Sequence, residues 1–170
     1  LQALIHYFIE LCLLRKGPQD LPASATLLQV LALIYLAVGV LVGSATGQGP
    51  AVALVQTLVD LGLLLGLLYV GLYWLGRLPR LAQSGSALVG SGALLSLLVL
   101  VPLGMATGGE DSQMTGVAAV LFLALLAWSV VVTGHILRHT LDLTLVQGAL
   151  IAVAYNLLAY SLLGALFTEA

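Results

Sequence analysis

The chain is 170 residues long, 61% hydrophobic and 7% charged, with a formal net charge of -2. Soluble domains carry roughly 25% charged residues, so this composition excludes a soluble fold and points to an all-α polytopic membrane protein. The five basic residues are divided among three loops, which excludes an electrostatic nucleic-acid binder, and a lone cysteine, Cys12, excludes both an internal disulfide and a cysteine zinc cluster.

The opening segment, Leu1 to Lys16, is too short to span a bilayer. Its polar residues Gln2, His6 and Glu10 recur every fourth position, which predicts an amphipathic helix lying along the inner leaflet, with His6 and Glu10 spaced as a side-chain pair. Gly17, Pro18 and Pro22 stop that helix and turn the chain into the membrane, with Ser24 a candidate cap for the next helix. The basic pair Arg15-Lys16 follows the apolar run instead of preceding it, so no cleavable signal peptide is expected. Because the first residue is Leu1 and not methionine, further N-terminal residues are expected before it. The domain reading is therefore an interfacial helix and entry loop over 1–22 and a transmembrane domain over 23–170.

About 20 apolar residues are needed to cross roughly 30 Å of hydrocarbon, and five stretches qualify. They are Ala25 to Gly43, Pro50 to Leu75, Ala87 to Thr107, Thr115 to Leu137 and Thr144 to Phe167, with Pro50 at a tolerated first-turn position. Connections such as Ser44 to Gly49 and Gly108 to Gln113 are short and rich in turn residues, so consecutive helices are expected to pack as antiparallel neighbours. Loop charge alternates: Arg15 and Lys16, then none, then Arg77 and Arg80, then Glu110 and Asp111, then Arg138. The positive-inside rule turns this into a topology with the N-terminus in and the C-terminus out, and the leucine- and alanine-rich usage fits a bacterial inner membrane.

Within the spans, Asp60 is the one carboxylate near mid-depth. Gln56 and Thr57 lie one turn away on its helix, while Tyr155 and Asn156 fall at a similar depth on the fifth span. Two readings of this polar cluster stand. Asp60 is either a proton or cation site, or one member of an interhelical hydrogen bond with Asn156 as the first expected partner and Gln56 or Tyr155 as alternatives. Carriers usually show interrupted helices or several intramembrane charges, and neither appears here, which gives the hydrogen bond precedence.

His135 and His139 share one helix face, but a zinc site needs a third ligand and only Asp142 is near in sequence. A rim position is expected for both, with His135 contacting headgroups or a loop and His139 solvated. Glycines four apart, Gly39 with Gly43 and Gly62 with Gly66, together with Gly90, mark packing seams or an oligomer face. Tyr69, Tyr73 and Trp74 read as an interfacial belt, while Trp128 and Tyr160 are expected to fill core or partner contacts.

No phosphate-cradling loop, haem ligand pair or proteolytic constellation is present, so neither an enzymatic activity nor a cofactor or metal is expected. The expected function is a non-catalytic membrane scaffold or accessory subunit, touching the lipid bilayer and other membrane proteins or itself as a homo-oligomer. The alternative is a small proton- or cation-coupled carrier or channel using Asp60. A dry helix seam around Asp60 favours the first, and a hydrated cavity favours the second.

In layout, and in the entry Phe8-Ile9-Glu10-Leu11-Cys12-Leu13-Leu14-Arg15-Lys16-Gly17-Pro18, the chain resembles the Yip1-type membrane domain as found in bacterial proteins. That resemblance implies a membrane scaffold or adaptor, and no catalytic residue comes with it.

Overall fold

The structure is a computed structural model that describes residues 2–107 and 112–167; the acidic pair Glu110 and Asp111 lies outside them. The regular elements are all helical: α1 (Gln2–Cys12), a 3-10 turn (Pro18–Asp20), α2 (Ala25–Ala45), α3 (Pro50–Trp74), a second 3-10 turn (Leu78–Arg80), α4 (Leu81–Thr107), α5 (Ser112–Leu141) and α6 (Leu145–Phe167). The five helices from α2 to α6 are long and apolar enough to cross a membrane, so the protein is an all-α, multi-pass membrane protein.

Local chemistry accounts for the helix starts. Ser24 Oγ accepts from the Leu27 N–H at 3.2 Å, capping α2, and Pro50 begins α3 where a missing N–H costs nothing. The third span begins earlier than expected, at Leu81 instead of Ala87. Its polar first turns find partners: Gln83 Nε2 donates to the carbonyls of Gln19 and Leu21 at 3.0 and 2.6 Å, and Thr140 donates to Ser84 Oγ at 3.0 Å. The latter bond also sets α4 and α5 level at one end of the bundle. Arg77 pairs with Asp142 at that end, which is called the basic end below.

Antiparallel packing of consecutive helices holds for α2 with α3, α4 with α5, and α5 with α6. The exception is α3 with α4, since α4 packs far more extensively on α2 than on α3. The reason lies in the small residues of α4: Leu28 of α2 sits over Gly85, and the Tyr35 ring sits over Gly92. The closest backbone approach is between α5 and α6, where a Cβ on Gly148 would collide with the carbonyl of Gly134.

α1 shares the core of the bundle. Tyr7, Phe8, Leu11 and Cys12 are buried in one cluster with Leu68, Leu72, Val89, Val132 and Ile136. Phe8 fills the notch at Gly90, nine residues or about 14 Å along α4 from Leu81. The Trp128 indole, 13 residues or about 20 Å from the end of α5, donates to the Cys12 carbonyl at 3.0 Å. His135 Nε2 lies 3.0 Å from the Lys16 carbonyl, closer to the basic end. The segment thus climbs along α4, reverses at Leu14, whose φ is 61°, and returns to the basic end. On the polar stripe Gln2 and His6 are exposed and Glu10 is half-buried, with His6 Nε2 3.5 Å from Glu10 and Lys16 Nζ 2.7 Å from the same carboxylate. Lys16 holds the Glu10 carboxyl below its usual range.

Candidate functional site

Three tilted segments bring a polar cluster together at mid-bundle. Tyr35 lies ten residues from either end of α2, Asp60 lies ten residues into α3, and Tyr155 lies ten residues into α6. At ~1.5 Å per residue each is about 15 Å from a helix end, half the thickness of a bilayer core. The Tyr35 hydroxyl donates to Asp60 Oδ2, and the Tyr155 hydroxyl donates to Oδ1 at 2.5 Å. Each carboxylate oxygen therefore has its own phenol, supplied by a different helix. This removes the cost of leaving an acceptor unpaired away from water.

The partner expected from sequence, Asn156, does not make this bond. Its Nδ2 donates to the Ala152 carbonyl of its own helix at 2.7 Å. Adjacent residues on a helix point about 100° apart, so Tyr155 and Asn156 cannot both aim at one carboxylate, and the longer phenol reaches it. Thr57 likewise donates to its own helix, to the Ala53 carbonyl at 2.7 Å. Gln56 and Thr57 instead line a cavity beside Asp60. Tyr35 was not anticipated, although counting to the middle of the first span places it at the depth of Asp60.

Two cavities meet at this cluster. The first, of about 270 Å³, runs from Thr46 and Gln48 in the α2–α3 connection past Gln56 and Thr57 to Asp60. The second, of about 210 Å³, lies between α3, α4, α5 and α6 and carries the hydroxyls of Ser91, Ser129 and Thr133 and the amide of Asn156. Tyr35, Asp60 and Ser96 line both. Either volume has room for several waters with polar partners. Among the described residues, neither lining includes a Lys, Arg or His. Toward the basic end the space closes over Leu64 and Leu88, beyond which Leu68, Leu72, Val132 and Ile136 are packed against α1.

The other expected sites separate from this one. Gly39 meets Thr57, Gly43 meets Ala53 and Gly90 meets Phe8, so these three are filled inside the bundle. Gly62 and Gly66 are exposed on α3, with nothing over them. His135 is buried and ties down the Lys16 carbonyl, matching the expected loop contact. His139, expected to be solvated, is half-buried with its ring 4.7 Å from that of His135 and its Nε2 3.3 Å from Arg138 Nε. Asp142, the acidic residue nearest in sequence, is paired with Arg77. Tyr69 and Tyr73 stack at 6.2 Å beside an exposed Trp74, the arrangement of an interfacial belt, whereas Tyr160 is 82% exposed. No family model matches this chain, and no curated protein or solved structure is detectably similar to it.

Proposed function

We propose that this protein is a non-enzymatic membrane carrier or channel for a small cation, with Asp60 as the binding group. The observation that carries this reading is that Asp60 and Tyr35 line both cavities, so the carboxylate is the junction between a polar vestibule and a second, half-open chamber whose outer wall is the exposed Phe122 and Leu126 and the half-buried Ser129. A carboxylate at mid-depth costs a few kcal/mol or more, and such groups characteristically mark ion pathways. With no cationic side chain in either lining, a bound cation is what balances its charge. The vestibule supplies access from the end opposite the basic loops, which the positive-inside rule makes the outer face of a bacterial inner membrane, with the N-terminus inside and the C-terminus outside.

The test is flux. In proteoliposomes carrying proton, sodium or potassium gradients, the wild-type protein should dissipate at least one gradient, and Asp60→Asn should abolish that flux while its helical content is kept. No flux of any of the three cations from correctly folded protein overturns the reading.

A second reading has an observation of its own. Gly62 and Gly66 present an open small-residue groove to the outside of α3, the surface that lateral helix packing uses. On that basis the protein is a scaffold or accessory subunit for other membrane proteins or for itself, as the Yip1-type resemblance implies. Co-purification of a partner that Gly62→Leu releases, without cation flux, supports this reading over the first.

A further inference from the structure

We infer that the cation taken up at Asp60 is a proton, and that Asp60 alternates between carboxylate and carboxyl as it passes that proton between the two cavities. The inference rests on the cation reading above and specifies its substrate. It follows from counting oxygens. Hard metal cations require about six or more oxygen ligands, and carriers that bind them in membranes expose backbone carbonyls by unwinding a helix. Here α2, α3 and α6 run unbroken through the level of the site, so their carbonyls are engaged in the helical ladders. The two nearest polar side chains on the helices carrying Asp60 and Tyr155 donate to carbonyls of those same helices. What converges from the protein is one carboxylate and two phenols, four oxygens in all, so a metal would have to draw the rest of its shell from water, whereas a proton needs no shell.

A proton needs only one of those oxygens. Hydronium in the vestibule transfers its proton to a carboxylate oxygen of Asp60, forming one O–H bond and leaving water. The phenol that had donated to that oxygen then turns to accept from the new carboxyl, since a hydroxyl serves both roles. Release reverses the step: the carboxyl O–H breaks toward a water of the chamber, regenerating the carboxylate and hydronium. Tyr35 borders both spaces, which makes it the phenol positioned to follow the proton from one to the other. Facing Asp60, the titratable groups are Tyr35 on α2 and Tyr155 on α6. The linings from α4 and α5 contribute only the hydroxyls of Ser91, Ser96, Ser129 and Thr133.

Infrared titration of the full chain in liposomes tests this without relying on transport. A neutral-carboxyl stretch should grow as pH falls, be missing from Asp60→Asn, and keep its midpoint when sodium, potassium or calcium chloride is added. Tyr35→Phe, which keeps the carboxyl and the ring, should move that midpoint because one hydrogen bond to the charged form is gone. A midpoint displaced to lower pH by rising sodium, potassium or calcium means metal competition at the site; this overturns the proton assignment and leaves the cation reading standing. A carboxyl band that does not respond to pH overturns the assignment as well, and absence of every flux in the liposome assay removes the reading beneath it.

Discussion

Asp60 is held by groups that each lose something different when removed. Tyr35→Phe and Tyr155→Phe should each lower stability by about 1.5–3 kcal/mol, the range for a hydrogen bond to a charged group, and the pair should be non-additive because both phenols share one carboxylate. Denaturation in detergent, followed by circular dichroism, measures all three variants. Asp60→Asn should stay close to wild type, since an amide oxygen still accepts one phenol, whereas Asp60→Leu leaves Tyr35 without its acceptor and Tyr155 with only the backbone carbonyl of residue 60, and should unfold more readily than either tyrosine variant. Equal stability for Asn and Leu at this position would show that the clasp contributes little. The carboxylate was legible in the sequence because a charged residue inside an apolar run has few innocent explanations. Of its two partners, Tyr155 was within reach of the sequence and Tyr35 was not. Tyrosine inside a span reads as apolar by composition, and only matching depth across helices distinguishes Tyr35 from Tyr69 or Tyr73. Asn156 was favoured on depth, and the 100° offset from Tyr155 decides otherwise.

At the level of elements, apolar length alone revealed the five spans, because crossing a bilayer demands it. Helix α4 is where that criterion fell short. Gln83, Ser84 and Ser86 lower the hydropathy of its first turns, yet the N-terminal segment and Thr140 supply partners for the first two. Nor does sequence adjacency reveal that α2 is the main neighbour of α4, or that α1 docks its apolar face against Gly90. That docking is testable through Cys12, the single cysteine of the chain. Burial pushes its thiol up to about 11 and leaves it 7% exposed, so it should resist maleimide at neutral pH and react faster only as pH rises toward that value, where the thiolate forms. Gly90→Leu overfills the Phe8 notch at a cost of about 1–3 kcal/mol. Even about 1.4 kcal/mol of lost docking raises the undocked population, and with it the labelling rate at neutral pH, about tenfold. Unchanged labelling, read by mass spectrometry, would mean that α1 holds its place without that notch. Acid should loosen the same segment: Glu10 is held below its usual range, so its stabilising contact with Lys16 is present above the ordinary carboxylate range and is lost as pH falls through its lowered value.

For the whole molecule, the loop charges and the bundle agree on which ends go together. Gln19 lies at the basic end and Gln48 at the opposite end. With Cys12→Ala as background, Gln48→Cys in intact cells should react with an impermeant maleimide and Gln19→Cys only after permeabilisation. Reaction of both from the same side would end the charge-based topology. The uneven burial of α4 determines where this bundle is stiff. Residues 84–91 are buried, while Leu97, Leu98 and Val101 toward the other end are exposed. One end is clamped by α1, by the ties at Trp128 and His135 and by the Arg77–Asp142 bridge. Away from that end α4 loses its cover, whereas α2 and α3 stay packed together through Gly39 with Thr57 and Gly43 with Ala53, so α4 is the helix with the most room to lean. The vestibule has that packed pair for one wall and Ser96 of α4 for another, so its width is set by how far α4 leans, while the floor beneath Asp60 is held by the residues packed against α1.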